Sequence, residues 1–276
     1  MLSSFKAACI QNCAGSNQAA NISKVETLVR RASGAGAELI CLPEFYSVLK
    51  PNDSDYWEHG WEMERHPALL QAKSLAIELS CWLLLGSIPV KASNRKVYNR
   101  SILLDAKGYE VGFYDKLHLF DVAIKDGQEY KESQNVIPGE HATLLTTPWG
   151  GLGLTICYDV RFPALYRSLA QAGACFISIP AAFTEKTGSA HWHTLVRSRA
   201  IETGSYIFAP GQTGVRPWGR KTYGHSLIVD PWGVVLADGG VDEGYIIAEI
   251  YPEKSSVARN MIPSLQNDIP FRVSKD

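Results

Sequence analysis

Apolar and polar residues alternate in two rhythms along this chain, and each change of rhythm marks an element. FKAACIQN (5–12) alternates with a period of two, as a strand does, whereas NISKVETLVRRASGAG (21–36) sets Ile22, Val25, Leu28, Val29 and Ala32 on one helical face before its glycines. ELICLPE (38–44) reads as a second strand, HPALLQAKSLAIELS (66–80) as a helix, and CWLLLGSIPV (81–90) as the strand that follows. Strand and helix take turns, the order of an α/β sheet.

The middle departs from this order. NRSILLDAKGYEVGFYDK (99–116) is two strand-like runs about a Lys107-Gly108 turn, which predicts a hairpin and makes the sheet mixed. From Lys116 to Gly139 runs a long polar segment, read as a functional loop. Alternation resumes with strand GLGLTI (151–156), helix PALYRSLAQAG (163–173), strand ACFISIP (174–180), helix AHWHTLVRSRAIETG (190–204) and strand SYIFAPGQ (205–212). TYGHSLIVDPWGVVLAD (222–238) predicts two strands joined at Pro231-Trp232-Gly233, GYIIAEI (244–250) another strand, and YPEKSSVARN (251–260) a short helix before an extended arm. No linker or fixed-period repeat divides the chain, so residues 1–276 read as one domain, with 252–276 as a C-terminal helix and arm. Two sheets packed face to face with helices outside, and one doubly wound parallel sheet, fit this pattern equally well.

Composition removes some partners. The chain has 276 residues, 46% hydrophobic and 20% charged, enough to bury a sizeable core. A formal net charge of −1 gives no general attraction to nucleic acid or to anionic lipid, which leaves small molecules and further copies of the chain as partners. MLSSFKAACIQN has one lysine and no sustained apolar core, so it does not read as a secretory signal, and the expected location is the cytoplasm. ATLLTTPWGGLGLTICY (142–158) is broken by Pro148 and three glycines and is rejected as a membrane span. The six cysteines, at 9, 13, 41, 81, 157 and 175, show no CxxC pair and no zinc-type spacing, so free thiols and no metal are expected.

One cysteine stands apart. Cys157 falls between the apolar run GLGLTI and the helix opened by Pro163, a turn from which a side chain can face a cleft while nearby backbone N–H groups await a negative charge. A thiol there can attack an acyl carbon if a base takes its proton and donors hold the oxyanion. Glu44 ends the strand-like LICLPE and Lys116 ends the hairpin run EVGFYDK, which places both at strand termini where an open sheet keeps its site. Taken singly, each is equally a solvated strand-end charge.

The segments LPEFY, YDKLHLF and CYDVRFP together resemble the three signature regions of the nitrilase superfamily, the carbon-nitrogen hydrolases, in that family's order. The resemblance continues through HWHTLVRSRAIE, APGQTG and YGHSLIVDPWGVVLAD, covers nearly the whole chain, and is strongest to the Nit branch, which includes deaminated-glutathione amidases and ω-amidases. It implies an α-β-β-α sandwich of two mixed sheets, paired into a homodimer, that works without a cofactor. It also implies Cys157 as nucleophile, Glu44 as general base and later acid, Lys116 as stabiliser of the tetrahedral intermediate, and Glu132 beside the lysine and substrate. The backbone N–H of Tyr158 is expected to share the oxyanion with Lys116, and ammonia to leave before water releases the acid.

Arg161 suits a bidentate carboxylate contact, and in the Nit branch the arginine of this motif holds a substrate carboxylate, which implies an amide carrying an acid group. Phe45, Tyr46, Phe183 and Trp192 are pocket walls by family position. The chain departs from the branch at Ala164 and His193, where glutamate is usual, and at Gly211, where alanine is usual, all outside the triad.

Rival readings are weaker. His191 and His193 form an HxH, but side chains two apart on a helix face away from each other. GHSLI around Ser226 lacks the final glycine of a serine-hydrolase elbow. The basic loop with Arg216, Trp218, Arg220 and Lys221 reads as a solvated loop or cleft rim in a neutral chain. The expected activity is hydrolysis of the deaminated-glutathione amidase type; an ω-amidase acting on α-ketoglutaramate-type amides, an N-carbamoyl amino acid hydrolase, a scaffold without turnover, and an enzyme that passes the acyl group to an amine remain as alternatives.

Overall fold

The computed structural model describes residues 3–50, 56–124 and 128–274. In chain order, β1 (Phe5–Gln11), α1 (Gln18–Gly34), β2 (Leu39–Cys41), α2 (Pro67–Leu79), β3 (Trp82–Lys91), β4 (Val97–Leu104) and β5 (Glu110–Asp115) build the first half. A small hairpin, β6 (Asp121–Ile124) with β7 (Gln128–Lys131), leads to β8 (Thr143–Thr147), β9 (Gly150–Leu154), α3 (Pro163–Gln171), β10 (Ala174–Ser178), α4 (Glu185–Thr203) and β11 (Tyr206–Ala209). A second small hairpin, β12 (Thr213–Val215) with β13 (Lys221–Tyr223), precedes β14 (Leu227–Val229), β15 (Val235–Asp238), β16 (Gly244–Ile250) and α5 (Glu253–Met261).

Helix boundaries follow from local chemistry. Asn17 caps α1 by accepting the Ala20 N–H at 3.1 Å, and Pro67 opens α2 behind a His66 ring nitrogen that accepts the Ala68 N–H. α4 begins at Glu185, earlier than its apolar spacing suggests, because Thr184 caps it and its first turn lies over solvent-facing residues that carry no apolar rhythm. Gly204 ends it in the left-handed conformation.

Among the described residues, two six-stranded sheets run in the orders β16-β1-β2-β3-β4-β5 and β15-β14-β11-β10-β9-β8. In each, three parallel strands sit centrally with antiparallel strands at both sides. The two sheets thus share one pattern of parallel and antiparallel pairing although no repeat is visible in the sequence, but the edge strand beside β1 is β16 from the far end of the chain, whereas β8 directly precedes β9. Alternation along β1 sorts the layers: Ala7 and Cys9 pack in a core with Leu152, Leu154 and Phe176 of the second sheet, whereas Ala8 and Ile10 pack with Val25, Leu28 and Val29 of α1 and Leu69 of α2. Each such large aliphatic side chain, fully buried, contributes about 1.5–3 kcal/mol. Tyr166, Leu169, Val196 and Ala200 seat α3 and α4 on the second sheet. The fold is an α-β-β-α sandwich, which decides between the two architectures that the pattern left open.

Three segments differ from the sequence expectation. The span from Lys116 to Gly139 is not plain loop: it holds β6, β7 and a 3-10 turn, Glu132–Gln134, that carries Glu132 inward. β8 was hidden in a run of threonines at the sheet edge, paired to β9. The basic loop is not uniformly solvated, because Arg216 is buried and its guanidinium donates to the carbonyls of Ala14, Thr213 and Gly214 and to the Gln212 side chain. Among the described residues no helix is long and apolar enough to cross a membrane.

Candidate active site

Three chain segments leave their sheets at one edge and meet. Beyond β2, Leu42 still pairs with Leu84 (2.9 Å), and β3 comes so close that a Cβ on Gly86 would lie 1.7 Å from the Leu42 carbonyl oxygen. Only glycine fits there. The chain then turns at Phe45, whose φ of 49° is held by Ser87 Oγ, which accepts the Phe45 N–H, and by Gln212 Nε2, which donates to the carbonyls of Glu44 (3.0 Å) and Phe45 (3.1 Å). Lys116 follows β5 directly, its N–H donating to the Asn99 carbonyl at 3.1 Å. Cys157 follows β9 at the start of a 3-10 turn, with φ 47° and its N–H bonded to the Pro180 carbonyl at 2.9 Å. A non-glycine residue held at positive φ marks a strained turn that aims its side chain.

The side chains converge. Lys116 Nζ donates to Glu44 Oε1 at 2.8 Å and to Glu132 Oε2 at 2.8 Å, and all three line one cavity with Cys157. Asn99 Nδ2 bridges the same carboxylates, at 3.0 Å to Glu44 and 3.1 Å to Glu132. The second Glu44 oxygen accepts the Ala182 N–H (2.9 Å), and Glu132 accepts the Phe120 N–H (2.7 Å). Every one of these side chains is buried.

Burial and charge set their protonation in opposite directions. Burial disfavours the Lys116 ammonium, but Glu132, Glu44 and the nearby sulfur outweigh it and hold its pKa well above the ordinary lysine value. Burial likewise disfavours the Glu44 carboxylate, yet the charge and hydrogen bond of Lys116 bring its pKa below the ordinary value. Glu132 ends on the other side: burial, with the Glu44 charge, wins over Lys116 and raises its pKa. For Cys157, burial and then the Glu44 charge push the thiol well up, against the pull of Lys116. The resting arrangement is a thiol beside an ionised carboxylate, the ingredients for proton transfer on attack.

Asp159 fixes the sulfur relative to the lysine. Its buried carboxylate accepts the Ile156 N–H (2.8 Å) within the Cys157 turn, the Tyr114 hydroxyl (2.8 Å) from β5, and the His118 N–H (3.1 Å) just past Lys116. His118 stacks flat on Phe162, with centroids 3.6 Å apart, and locks the same junction.

The other expected site residues divide. Phe45, Tyr158 and Phe183 line the cavity, as do Phe120, Thr184, Thr187 and Arg220, none of which the sequence reading placed there as a wall. Tyr46 does not: the turn at Phe45 sends it into the core under α1 and α2, where its hydroxyl reaches the Ala68 carbonyl. Trp192 stands behind the wall, its ring 4.9 Å from Phe183 and its Nε1–H donating to the His225 carbonyl at 2.7 Å. Arg161 is not in the lining; it lies over the Phe183 ring at 5.3 Å and meets His191 at 3.2 Å. Asn99 is a buried polar group within a strand that has no local motif, and Asp159 lies inside the CYDVRFP segment with no sign there of its partners; the topology brings both to the site. Ala164, His193 and Gly211 lie outside the lining, and a Cβ on Gly211 would meet the Gly224 carbonyl at 2.9 Å, which accounts for glycine there.

Residues 6–260 match the carbon-nitrogen hydrolase family. A deaminated glutathione amidase of Synechocystis sp. is 39% identical over 274 residues, covering 96% of this chain and 98% of its own length. The Homo sapiens deaminated glutathione amidase is 38% identical over 255 residues, covering 91% and 78%. Among solved structures, Saccharomyces cerevisiae Nit3, a member of branch 10 of the nitrilase superfamily, superposes with a TM-score of 0.85 at 30% identity and covers 94% of each chain. The C. elegans NitFhit protein gives 0.87 at 33% identity, covering 96% of this chain, which spans 65% of that longer one. Sequence, sandwich and relatives agree: this chain is an amidohydrolase of the carbon-nitrogen hydrolase family, within the nitrilase superfamily.

Proposed function

We propose that the chain hydrolyses the amide bond of a small carboxylate-bearing substrate through a thioester on Cys157, with deaminated glutathione as the preferred substrate. The observation that carries this reading is the double grip of Glu44 and Glu132 on Lys116 beside Cys157 in one cavity. The name of the Synechocystis relative supports the substrate.

In this mechanism Glu44 takes the thiol proton as sulfur bonds to the amide carbon. The carbonyl electron pair moves onto oxygen, held by the Lys116 ammonium and the Tyr158 N–H, for which no protein acceptor is present among the described residues. When the carbon-nitrogen bond breaks, Glu44 returns its proton to the leaving nitrogen. The leaving group is ammonia from a primary amide and a peptidyl amine from a deaminated-glutathione-type amide. Water then adds to the thioester with Glu44 as base, the carbon-sulfur bond breaks, and the thiol is restored. Glu132 and Asn99 keep the ammonium and the Glu44 oxygen in register. Arg220 in the lining and Arg161 behind Phe183 supply positive charge for the acid group.

The chain is read as one working unit that acts as a homodimer in the cytoplasm. Six free thiols support a reducing compartment, and exposed Met261, Ile262, Ile269 and Phe271 support a C-terminal helix and arm that meet a second copy. Sedimentation velocity should give twice the chain mass; a monomer at micromolar concentration rejects the dimer.

The deciding experiment is steady-state kinetics on deaminated glutathione, α-ketoglutaramate, glutamine, a nitrile and an N-carbamoyl amino acid, reading product acid. The highest kcat/KM is expected on deaminated glutathione. Turnover of none would favour a scaffold, and hydroxamate in place of acid on adding hydroxylamine would show the thioester open to amine acceptors.

A further inference from the structure

The reaction leaves one cluster of polar side chains unused. His193 on α4, His225 in the link between β13 and β14, and Asp238 at the end of β15 bring their ligand-type atoms within 4.8 Å of one another, the one such group of three among the described residues. His193 Nε2 lies 3.0 Å from Asp238 Oδ2, and His225 Nδ1 lies 2.9 Å from Oδ1 and 3.2 Å from Oδ2. We infer that His193, His225 and Asp238 form a binding site for a divalent transition-metal ion of the zinc type, which clamps α4 to the end of β15.

The spacing suits this ion. Tetrahedral zinc bonded at roughly 2.0–2.2 Å sets its ligand atoms roughly 3.3 Å apart, so the two His–Asp separations need only small outward shifts, and the two imidazoles, within 4.8 Å of each other, are near enough to close on the same ion. Two imidazoles with one carboxylate select a zinc-like ion over magnesium or calcium, which prefer oxygen. The cluster is part-exposed, so an ion can enter and keep a water as fourth ligand.

The surroundings hold the ligands in place. Tyr223 stacks on His225 with centroids 4.4 Å apart, and the Gly240 N–H donates to Asp238 Oδ1 at 2.9 Å. His225 sits at φ 49°, its N–H bonded to the Gly240 carbonyl and its carbonyl bonded to Trp192. In the sequence His193 stands two residues from His191, whose partner is Arg161; the ligands that complete the set come from a link and a strand more than thirty residues on. Because Trp192 backs Phe183 and the Tyr223 N–H donates to the Phe183 carbonyl at 3.0 Å, the clamp lies one layer behind the catalytic cavity. An ion there would stiffen that wall without touching the reacting atoms.

The test uses the full chain carrying Cys157→Ala, so that the reactive thiol does not compete for metal. Zinc chloride titration should show one ion per chain and a raised thermal midpoint, and X-ray absorption of the loaded protein should show nitrogen and oxygen neighbours without sulfur. His193→Gln and Asp238→Asn should each weaken binding at least tenfold. Sulfur in the shell, unchanged affinity in both variants, or no binding at all overturns the site. The shell is read on the intact cluster, so it decides even where a variant fails to fold.

Discussion

The Tyr114 hydroxyl donates to Asp159 Oδ2 at 2.8 Å and accepts the Leu117 N–H at 3.1 Å, so a single phenol joins the turn that bears Cys157 to the segment that carries Lys116 out of β5. Sulfur and ammonium come from different sheets, and this link sets their separation. Removing a hydrogen bond to a charged group costs about 1.5–3 kcal/mol. Tyr114→Phe should therefore lower kcat about tenfold, with KM little changed, and lower the thermal midpoint modestly. Asp159→Asn, which weakens the contacts to Tyr114, His118 and Ile156 together, should lose more. An unchanged kcat in both variants would remove the positioning role.

Cys157→Ala should abolish turnover and leave the fold intact, because the lost sulfur is small and the turn is held by one backbone bond to Pro180 and by Asp159. Circular dichroism and the thermal midpoint check the fold. Appreciable residual hydrolysis would refute the thiol mechanism.

Lys116→Ala should hurt both rate and stability. Loss of one good oxyanion donor lowers the rate roughly 10²- to 10³-fold. The substitution also leaves Glu44 and Glu132 facing each other in a buried site without their shared cation, and breaking a buried pair typically costs about 3–5 kcal/mol. The thermal midpoint should fall clearly and recover at acid pH, where one carboxyl takes up a proton. A variant as stable as its parent at neutral pH would mean that the two carboxylates do not share the charge of Lys116.

The pH profile follows from how burial divides the two glutamates. Glu44 is held below the ordinary carboxylate pKa and Glu132 above it. As pH falls, the first proton taken up by this group goes to Glu132, and the grip on Lys116 loosens before Glu44 itself is protonated. The acid limb of kcat/KM should therefore lie above the ordinary glutamate value. Glu132→Gln should lower the plateau and move that limb to lower pH, since only the depressed Glu44 is left to titrate. A limb that stays in place would assign it to another group.

Much of this was legible in the sequence, for physical reasons that also mark its limits. Apolar rhythm found α1 and α2 because each buries one stripe, with glycines closing α1 and Pro67 opening α2, and a continuous apolar run found β3, which is buried on both faces. Glu44, Lys116 and Cys157 were legible because each ends a strand and sits in a recognisable segment. Asn99 was not, since an inward polar residue within a strand carries no local signal until its partners are known to be Glu44 and Glu132. Tyr46 misled because it neighbours a true wall residue, and one left-handed turn at Phe45 separates their destinations. Arg220 belongs to a loop whose sequence suits a solvated loop and a cleft rim alike, because nothing in a short hairpin tells which way it folds; the hairpin β12-β13 turns it onto the cavity.

Substrate selectivity should depend on both arginines, unequally. Arg220 lines the cavity and its guanidinium lies over the Tyr130 ring at 5.5 Å, whereas Arg161 is one layer back, over Phe183. An acid group on the substrate therefore meets Arg220 directly and feels Arg161 across an aromatic ring, where an arginine acts by its field more than by contact. Loss of a charge-assisted hydrogen bond costs about 1.5–3 kcal/mol, or roughly ten- to a hundredfold in kcat/KM. Arg220→Ala should show that loss on carboxylate-bearing amides and spare a neutral amide of similar size; Arg161→Ala should show the same selectivity at smaller amplitude. Comparing kcat/KM for the charged and neutral amides across both variants settles the assignment. Equal losses on the two substrates would reduce the arginines to structural supports, and a larger, charge-selective loss from Arg161→Ala would move the carboxylate site to that residue.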